Sequence, residues 1–281
     1  MAIHGFAASL DTWRDILPFL EADFHLYLID MKGFGLSSDA KIHKYSVFDQ
    51  AEIVATFVEK LDLHEVVLMG HSLGGSVAMM TYVRLKDKGA ANRVTGLILL
   101  DALGFPHNLR LPLSISVLRI PVLNRLVLNL VPSRRKARYV LKHVIRDKTK
   151  ITPERICRYA QFYDLPGAHR AIIGTVRQLD SKQGRLMSKR ISEIDVPTLI
   201  LWGKFDKLIP PSQAEALHQA IAKSEEPQML NCGHIPQEEE PEETARLIRR
   251  FVWRSRGSWA SRVPMIIALG SRNAGHARLL R

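Results

Sequence analysis

The chain has 281 residues, of which 46% are hydrophobic and 24% charged, a balance typical of folded globular proteins rather than disordered ones. This length can bury a core without disulfides or metals, and the two cysteines supply neither a disulfide framework nor a zinc ligand set. No secretory signal or membrane-spanning run is recognisable, so we expect a cytoplasmic protein, either free or attached to a membrane surface.

The net charge of +12 is concentrated in two segments. Residues 105–150 hold eleven Lys and Arg against the single acid Asp147, and residues 254–281 hold six Arg and no acid. Neither segment interleaves aromatic and basic residues as nucleic-acid-binding segments do, so we do not expect nucleic acid as a partner.

Buried parallel strands alternate with helical patterns along the chain. The strands are predicted at 24–29, 65–69, 94–100, 196–202 and 227–230, and the helices at 46–61, 72–86, 211–222 and 241–253. This alternation predicts an α/β fold with a mostly parallel sheet and helices on both faces.

About 95 residues between the third and fourth strands carry helical patterns broken by prolines, and they are too many for a simple crossover. We therefore predict an inserted helical cap. The predicted domains are a first core part at 1–104, the cap at 105–190, a second core part at 191–254 and a basic, disordered tail at 255–281.

The sequence Gly70-His71-Ser72-Leu73-Gly74 lies directly after one predicted strand and directly before a helix. In this G-x-S-x-G context the chain reverses sharply and exposes the serine hydroxyl, and side chains at Gly70 and Gly74 would collide across the turn. Ser72 is therefore the candidate nucleophile.

A serine nucleophile needs a histidine base, and the histidine needs an orienting acid. Asp206 and His234 each follow a later predicted strand, which gives the chain order nucleophile, acid, histidine. Asp101, at the end of the strand at 94–100, is the alternative acid. We favour Asp206 because its strand immediately precedes that of the histidine.

Acyl transfer also needs two N–H donors for the developing oxyanion. The backbone N–H of Leu73, the residue after the nucleophile, is one candidate. Phe6, in the early His4-Gly5-Phe6 loop, is the other. His4 itself is expected to order that loop.

Taken together, these motifs resemble the α/β-hydrolase family over residues 4–253. The matching segments are HGF at 4–6, DMKGFGLSS at 30–38, GHSLGG at 70–75, WGKFDKLIP at 202–210 and NCGHIPQEEEPEE at 231–243. The resemblance implies an esterase, a lipase or a carbon–carbon bond hydrolase that acts through an acyl-enzyme and needs no cofactor and no metal. The cap length and the LPG pattern at 165–167 are most similar to carboxylesterases, monoacylglycerol-lipase-like enzymes and meta-cleavage-product hydrolases.

The sequence departs from that family at its start, where only three residues precede the HG motif. By family topology a long strand belongs there, between the strands at 24–29 and 65–69. We therefore expect the N-terminal strands to be missing and the chain to be truncated.

The predicted reaction is hydrolysis of a small or lipid-like carboxylic ester. The alternatives are a carbon–carbon bond hydrolase of the meta-cleavage-product type and an inactive binding protein of the same fold. The basic cluster Arg134, Arg135, Lys136 and Arg138 in the cap is either a solvated face or a surface attracted to anionic lipid.

Overall fold

The computed structural model describes residues 1–37, 44–106, 118, 120–178, 181–256 and 265–269. Parts of three predicted features lie outside these residues: Ser38 of the motif at 30–38, residues 107–117, 119 and 179–180 of the cap, and residues 257–264 and 270–281 of the tail.

One parallel sheet of seven strands, in the order β6-β5-β4-β3-β1-β2-β7, forms the centre of the described part. The strands are β1 Ala2–Ile3, β2 His25–Ile29, β3 Val66–His71, β4 Val94–Leu100, β5 Thr198–Gly203, β6 Gln228–Leu230 and β7 Met265–Leu269. Apolar β-branched and leucine side chains dominate β2 to β5, as expected for strands that are covered on both faces.

The helices are α1 Val47–Lys60, α2 Leu73–Asp87, α3 Pro121–Leu130, α4 Ser133–Val144, α5 Pro153–Tyr163, α6 Ala168–Gln178, α7 Ser181–Arg190, α8 Ser212–Ala220, α9 Pro236–Glu239 and α10 Pro241–Arg256. A Ser46–Asp49 capping box begins α1, and helices α3 to α7 occupy the segment assigned to the cap. None of the described helices has both the length and the apolar character needed to cross a membrane.

Alternate residues of strands β1 to β5 contribute to two separate hydrophobic clusters, one on each face of the sheet. On one face, Leu97 and Leu99 of β4 pack with α1, α2, α8 and the cap. On the other, Ile98 and Leu100 pack with α10 and with the turns around Trp13. The predicted parallel sheet with helices on both faces is thus confirmed.

The strand that was expected to be missing is represented by the two residues of β1. Ala2 and Ile3 pair with Leu28 and Ile29 on one side and with Met69 and Gly70 on the other. This short strand therefore lies in the family position, between β2 and β3.

Within the tail predicted at 255–281, Met265–Leu269 pair as β7 along the whole of β2. The segment MIIAL is apolar and rich in isoleucine, and it covers the outer edge of β2. Cys157 and Cys232 are both free thiols. The cytoplasmic location stays a prediction.

Candidate active site

Ser72 occupies a strained turn between β3 and α2, with φ +53° and ψ −120°. A side chain on Gly70 would overlap the backbone of Gly74, and one on Gly74 would overlap the carbonyl of Ile3. The two glycines thus permit a backbone conformation that a non-glycine residue rarely adopts, and the turn holds the Ser72 hydroxyl at the carboxyl edge of the sheet.

Ser72, His234 and Asp206 meet at this edge, where β3, β6 and β5 end. The Nε2 atom of His234 lies 3.0 Å from the Ser72 Oγ, and its Nδ1 lies 2.6 Å from the Asp206 Oδ2. All three residues are buried. Because a carboxylate only accepts hydrogen bonds, Nδ1 carries the proton and the Nε2 lone pair faces the serine hydroxyl.

The Asp206 carboxylate is held from both sides. Its Oδ1 accepts hydrogen bonds from the backbone N–H groups of Leu208 and Ile209 at 2.7 and 3.0 Å. Burial by itself would raise the pKa of Asp206, but the charge and hydrogen bond of His234, together with the hydrogen bonds of Ile209 and Asp101, leave the pKa below its ordinary value. Asp206 is therefore ionised at neutral pH.

The loop that carries His234 is bonded to the cap. The backbone N–H of His234 donates to the carbonyl of Val144, the last residue of α4, at 2.7 Å. Glu239 accepts from Gly233 N–H at 2.7 Å and from Arg146 N–H at 2.8 Å. Glu239 was not predicted as a site residue, because a run of three glutamates before a helix is typical of a solvated helix start.

His71 lies beneath the same loop. Its Nε2 is 2.7 Å from the carbonyl oxygen of His234, which makes it the donor. Burial, with a smaller contribution from His234, lowers the pKa of His71 to about 3, so the ring is neutral. His71 thus supports the His234 backbone, a contact that the motif alone did not reveal.

The two N–H groups predicted to bind an oxyanion belong to segments close to the nucleophile. Leu73 is the first residue of α2, where backbone N–H groups lack helical acceptors. Gly5, before Phe6, packs so closely that a side chain there would lie 3.1 Å from the Ser72 Cβ. No acceptor for either N–H occurs among the described residues. Their joint action on a substrate stays a prediction.

A buried histidine, His4, holds the Phe6 loop in place. His4 donates from Nδ1 to the Gly5 carbonyl at 2.7 Å and accepts at Nε2 from the Met31 N–H at 3.0 Å. Burial lowers the pKa of His4 to about 4, so it is neutral. Asp30, next to it, accepts from the N–H groups of Leu10 and Leu36, and burial raises its pKa to about 6.

Asp101, the alternative acid, is fully buried behind Asp206. Its Oδ1 accepts from the Gly203 N–H at 3.0 Å, whereas the hydrogen bond to His234 belongs to Asp206. Ligand atoms of Asp101, Asp206 and His234 lie within 4.8 Å of one another, a spacing that a metal could also use. In this structure His234 Nδ1 and Asp206 Oδ2 are instead joined by the 2.6 Å hydrogen bond.

Glu238, which like Glu239 was not predicted as a site residue, links the cap to the core. It accepts from Thr12 of the core at 2.7 Å and from Tyr159 of α5, and its second oxygen faces Arg155 and Arg158 at 3.4 and 3.7 Å. Both arginines also pair with Asp15. These contacts attach α5 to the core beside the His234 loop.

Two openings lie near the cap in the described part. A cavity of about 470 Å³ is lined by residues of α5, α6 and the turn between them, none of which contacts Ser72. A narrow cleft between core and cap is lined by Ser76, one helical turn after Ser72, and by Val47, Phe48, Leu103 and Met187. The second opening is the one adjacent to the nucleophile helix.

A family model described as the α/β-hydrolase fold matches residues 1–241. The chain is 26% identical to monoacylglycerol lipase ABHD6 from Mus musculus, over 90% of this chain and 74% of that protein. It is 27% identical to a 2-hydroxy-6-oxononadienedioate/2-hydroxy-6-oxononatrienedioate hydrolase from Klebsiella pneumoniae, over 90% of this chain and 86% of the other. A thermophilic esterase from Thermogutta terrifontis superposes with a TM-score of 0.72 at 23% identity, covering 91% of this chain and 89% of the esterase.

Proposed function

Because the chain belongs to the α/β-hydrolase fold family and is therefore a hydrolase, we propose that it cleaves a carboxylic ester through an acyl-enzyme on Ser72. The observation that carries the proposal is the buried chain of contacts from Ser72 through His234 to Asp206, at 3.0 and 2.6 Å. This arrangement is that of a serine nucleophile with its base and orienting acid.

In the proposed reaction, His234 Nε2 takes the proton of Ser72 as the hydroxyl attacks the ester carbonyl. Asp206 stabilises the resulting imidazolium through the Nδ1 hydrogen bond. His234 then protonates the leaving alcohol, and a water molecule, activated by the same imidazole, releases the acid.

The backbone N–H groups of Phe6 and Leu73 are the proposed donors to the oxyanion. The N-terminus of α2 adds the positive end of a helix dipole at the same point. The pairs His4–Gly5 and His4–Met31 hold the Phe6 loop and thereby its N–H group. No cofactor or metal takes part in this scheme.

Replacement of the nucleophile tests the proposal. We expect Ser72→Ala to abolish both ester turnover and covalent labelling by a fluorophosphonate probe. The matched control is Ser192→Ala, a serine that is exposed and remote from β3. Full activity or full labelling of the Ser72 variant would refute the assignment. A wild-type protein that neither turns over nor labels would support an inactive binding protein instead.

The second candidate is a carbon–carbon bond hydrolase, because the relatives include both a lipase and a dienedioate hydrolase. The same three residues serve either chemistry, so the substrate must decide. A panel of nitrophenyl esters and monoacylglycerols of varied chain length should be turned over faster than a ring-cleavage dienoate. The reverse ranking would favour the second candidate.

We also propose that the cap attaches the protein to anionic membranes and so gives it access to lipid esters. Helix α3 buries Asn124 and Leu128 but exposes apolar side chains on its outer side. The exposed set is Val122, Leu123, Leu126 and Leu130. Helix α4, next in the chain, exposes four cations, Arg134, Arg135, Arg138 and Lys142. Apolar residues beside cations are typical of helices that lie on anionic bilayers.

One member of the predicted basic cluster does not belong to this surface. Lys136 is buried, and its ammonium group donates to the Leu128 carbonyl at 2.7 Å. It therefore joins α4 to α3, and the exposed cations carry the proposed membrane contact.

Vesicle sedimentation measures this contact. We expect binding to vesicles that contain phosphatidylglycerol and little binding to pure phosphatidylcholine, with a loss of affinity as salt rises. Arg134→Glu with Arg138→Glu should weaken binding at least tenfold. The control Arg170→Glu with Arg177→Glu makes the same change of charge at two other exposed cap positions. Equal, salt-insensitive binding to both vesicle types would reject the membrane contact.

A further inference from the structure

A carboxyl group outside the proposed nucleophile–base–acid chain lies in contact with it. Asp101, at the end of β4, is fully buried and has a left-handed backbone with φ +43°. A non-glycine residue in this conformation is strained, and such strain persists only where the surroundings hold it in place. The turn brings the carboxyl group close to that of Asp206, and an oxygen atom of each lies within 4.8 Å of the other.

The two oxygens of Asp101 have unequal surroundings. Oδ1 accepts the Gly203 N–H at 3.0 Å, while Oδ2 is buried and receives no hydrogen bond from any donor of the described chain. A buried, ionised carboxylate with one bare oxygen is costly. A proton on Asp101 converts that oxygen into a donor and removes the cost.

Asp206 is the natural acceptor for this proton. Two carboxyl groups in buried contact cannot both ionise cheaply, so the pair keeps one proton. Asp206 is the better anion of the two, because it receives three hydrogen bonds, from Leu208, Ile209 and His234. Asp101 receives one. The proton therefore belongs on Asp101.

The other titratable groups around Asp101 also favour a proton on Asp101 and a negative charge on Asp206. Glu239, from α9, adds negative charge, and Cys232, from the loop after β6, is a buried thiol whose pKa is raised mainly by its burial. Burial first, and the charge of Asp206 second, raise the pKa of Asp101 well above its ordinary value. His71 is neutral and supplies no compensating charge.

We propose that Asp101 is a positioning residue, which keeps its proton at neutral pH and donates it in a hydrogen bond to the Asp206 carboxylate. This inference rests on the proposed function of Ser72, His234 and Asp206. The hydrogen bond fixes the orientation of Asp206 and holds negative charge on it, so that the proton between Asp206 and His234 stays on the imidazole.

Two substitutions of Asp101 separate this role from a merely structural one. Asp101→Asn can still accept the Gly203 N–H through its carbonyl and donate to Asp206 through its amide, so we expect kcat within about threefold of wild type. Asp101→Leu has similar volume but neither group. We expect it to lower kcat about 10- to 100-fold with little change in KM, because a supporting hydrogen bond is lost.

An infrared difference spectrum provides a readout that does not depend on turnover. At pH 7 the wild-type protein should show the carbonyl band of a protonated carboxylic acid, which shifts in D₂O, disappears in Asp101→Asn and persists in Ser72→Ala. Thermal unfolding reports whether each variant folds. If Asp101→Leu does not fold, the spectrum of Asp101→Asn still decides.

Three results would overturn the inference: no band that depends on Asp101, an Asp101→Asn variant as slow as Asp101→Leu, or an Asp101→Asn loss equal to that of Asp206→Asn. The last would make Asp101 the triad acid. In each of these cases the wild type still labels with fluorophosphonate. Failure of the proposed function is distinguishable, because the wild type would then not label at all.

Discussion

The carboxyl edge of the sheet and the outer surface of the cap satisfy their polar groups in opposite ways. At the edge, Ser72, Asp206 and His234 are buried and bonded to one another or to backbone groups. On the cap, Arg134, Arg135 and Arg138 are exposed and form no ion pair with any acid of the described segments. A small displacement at the edge leaves a buried charge unpaired. Residues of the cap surface, in contrast, can be substituted with little change in the free energy of unfolding.

The largest effect is expected from breaking the edge. His234→Ala removes the base and should lower kcat on a soluble ester by about 10⁴-fold or more, because triad members act as a unit. Arg155→Lys, a cap change that keeps its charge, should cost far less. Stopped-flow or steady-state assays of both variants, with circular dichroism to verify folding, measure the contrast. A His234 variant within tenfold of wild type would contradict it.

The next effect comes from the joint between the two regions. Glu238→Ala leaves Arg155, Arg158 and Tyr159 without their buried partner and should lower the free energy of unfolding by about 3 kcal/mol or more. Glu242→Ala, at an exposed position four residues later, should change it by less than about 0.5 kcal/mol. Denaturant titration of the two variants measures the difference, and equal midpoints would show that the joint contributes no stability.

A pH-dependent effect follows from Asp30, whose pKa burial raises to about 6. A raised folded-state pKa stabilises the fold below about pH 4, and this contribution is lost as the pH rises through 6. Asp30→Asn cannot ionise, so its stability relative to wild type should rise by up to about 3 kcal/mol between pH 4 and pH 8. His4 beside it is already neutral over most of this window. A difference that does not vary with pH would refute the shift.

The smallest effect is expected on the cap surface. Tyr139 of α4 is half exposed, and its replacement by Ala should change the free energy of unfolding by less than about 0.5 kcal/mol. Leu141, two residues later on the same helix, is fully buried, and Leu141→Ala should cost about 2–5 kcal/mol. Similar losses for both would show that the outer face of α4 is covered in solution.

Much of the fold could be predicted because its strands are short apolar runs between turn residues. The strand at 94–100 was predicted with its observed bounds, and the helix at 241–253 extends three residues further, to Arg256. The strand β1 was not predicted, because two residues are too few to show a periodic pattern. Its pairing with β2 and β3 on either side holds it in the sheet. The strand β7 escaped because its pairing with β2 is a long-range contact that local periodicity does not encode.

Some residues of the candidate site could likewise be predicted from the sequence, and others could not. The G-x-S-x-G turn and the chain order of Ser72, Asp206 and His234 were readable because sheet topology brings the ends of parallel strands together. Glu238 and Glu239 were not readable, because their burial depends on cap helices that pack over them. Strand order favoured Asp206 over Asp101, but the hydrogen bonds of the two carboxyl groups could not be predicted, since both follow strands that end at the same edge.

The hydrogen bond from His234 to the Val144 carbonyl has a kinetic consequence. If helix α4 moved outward to admit a bulky molecule, this hydrogen bond would break and the backbone that carries the imidazole would lose its support. Substrate entry and bond cleavage would then occur in different conformers, and the conformer with the open cap would be inactive. The rate of cap closure would set the pace of turnover for large substrates and leave small ones unaffected.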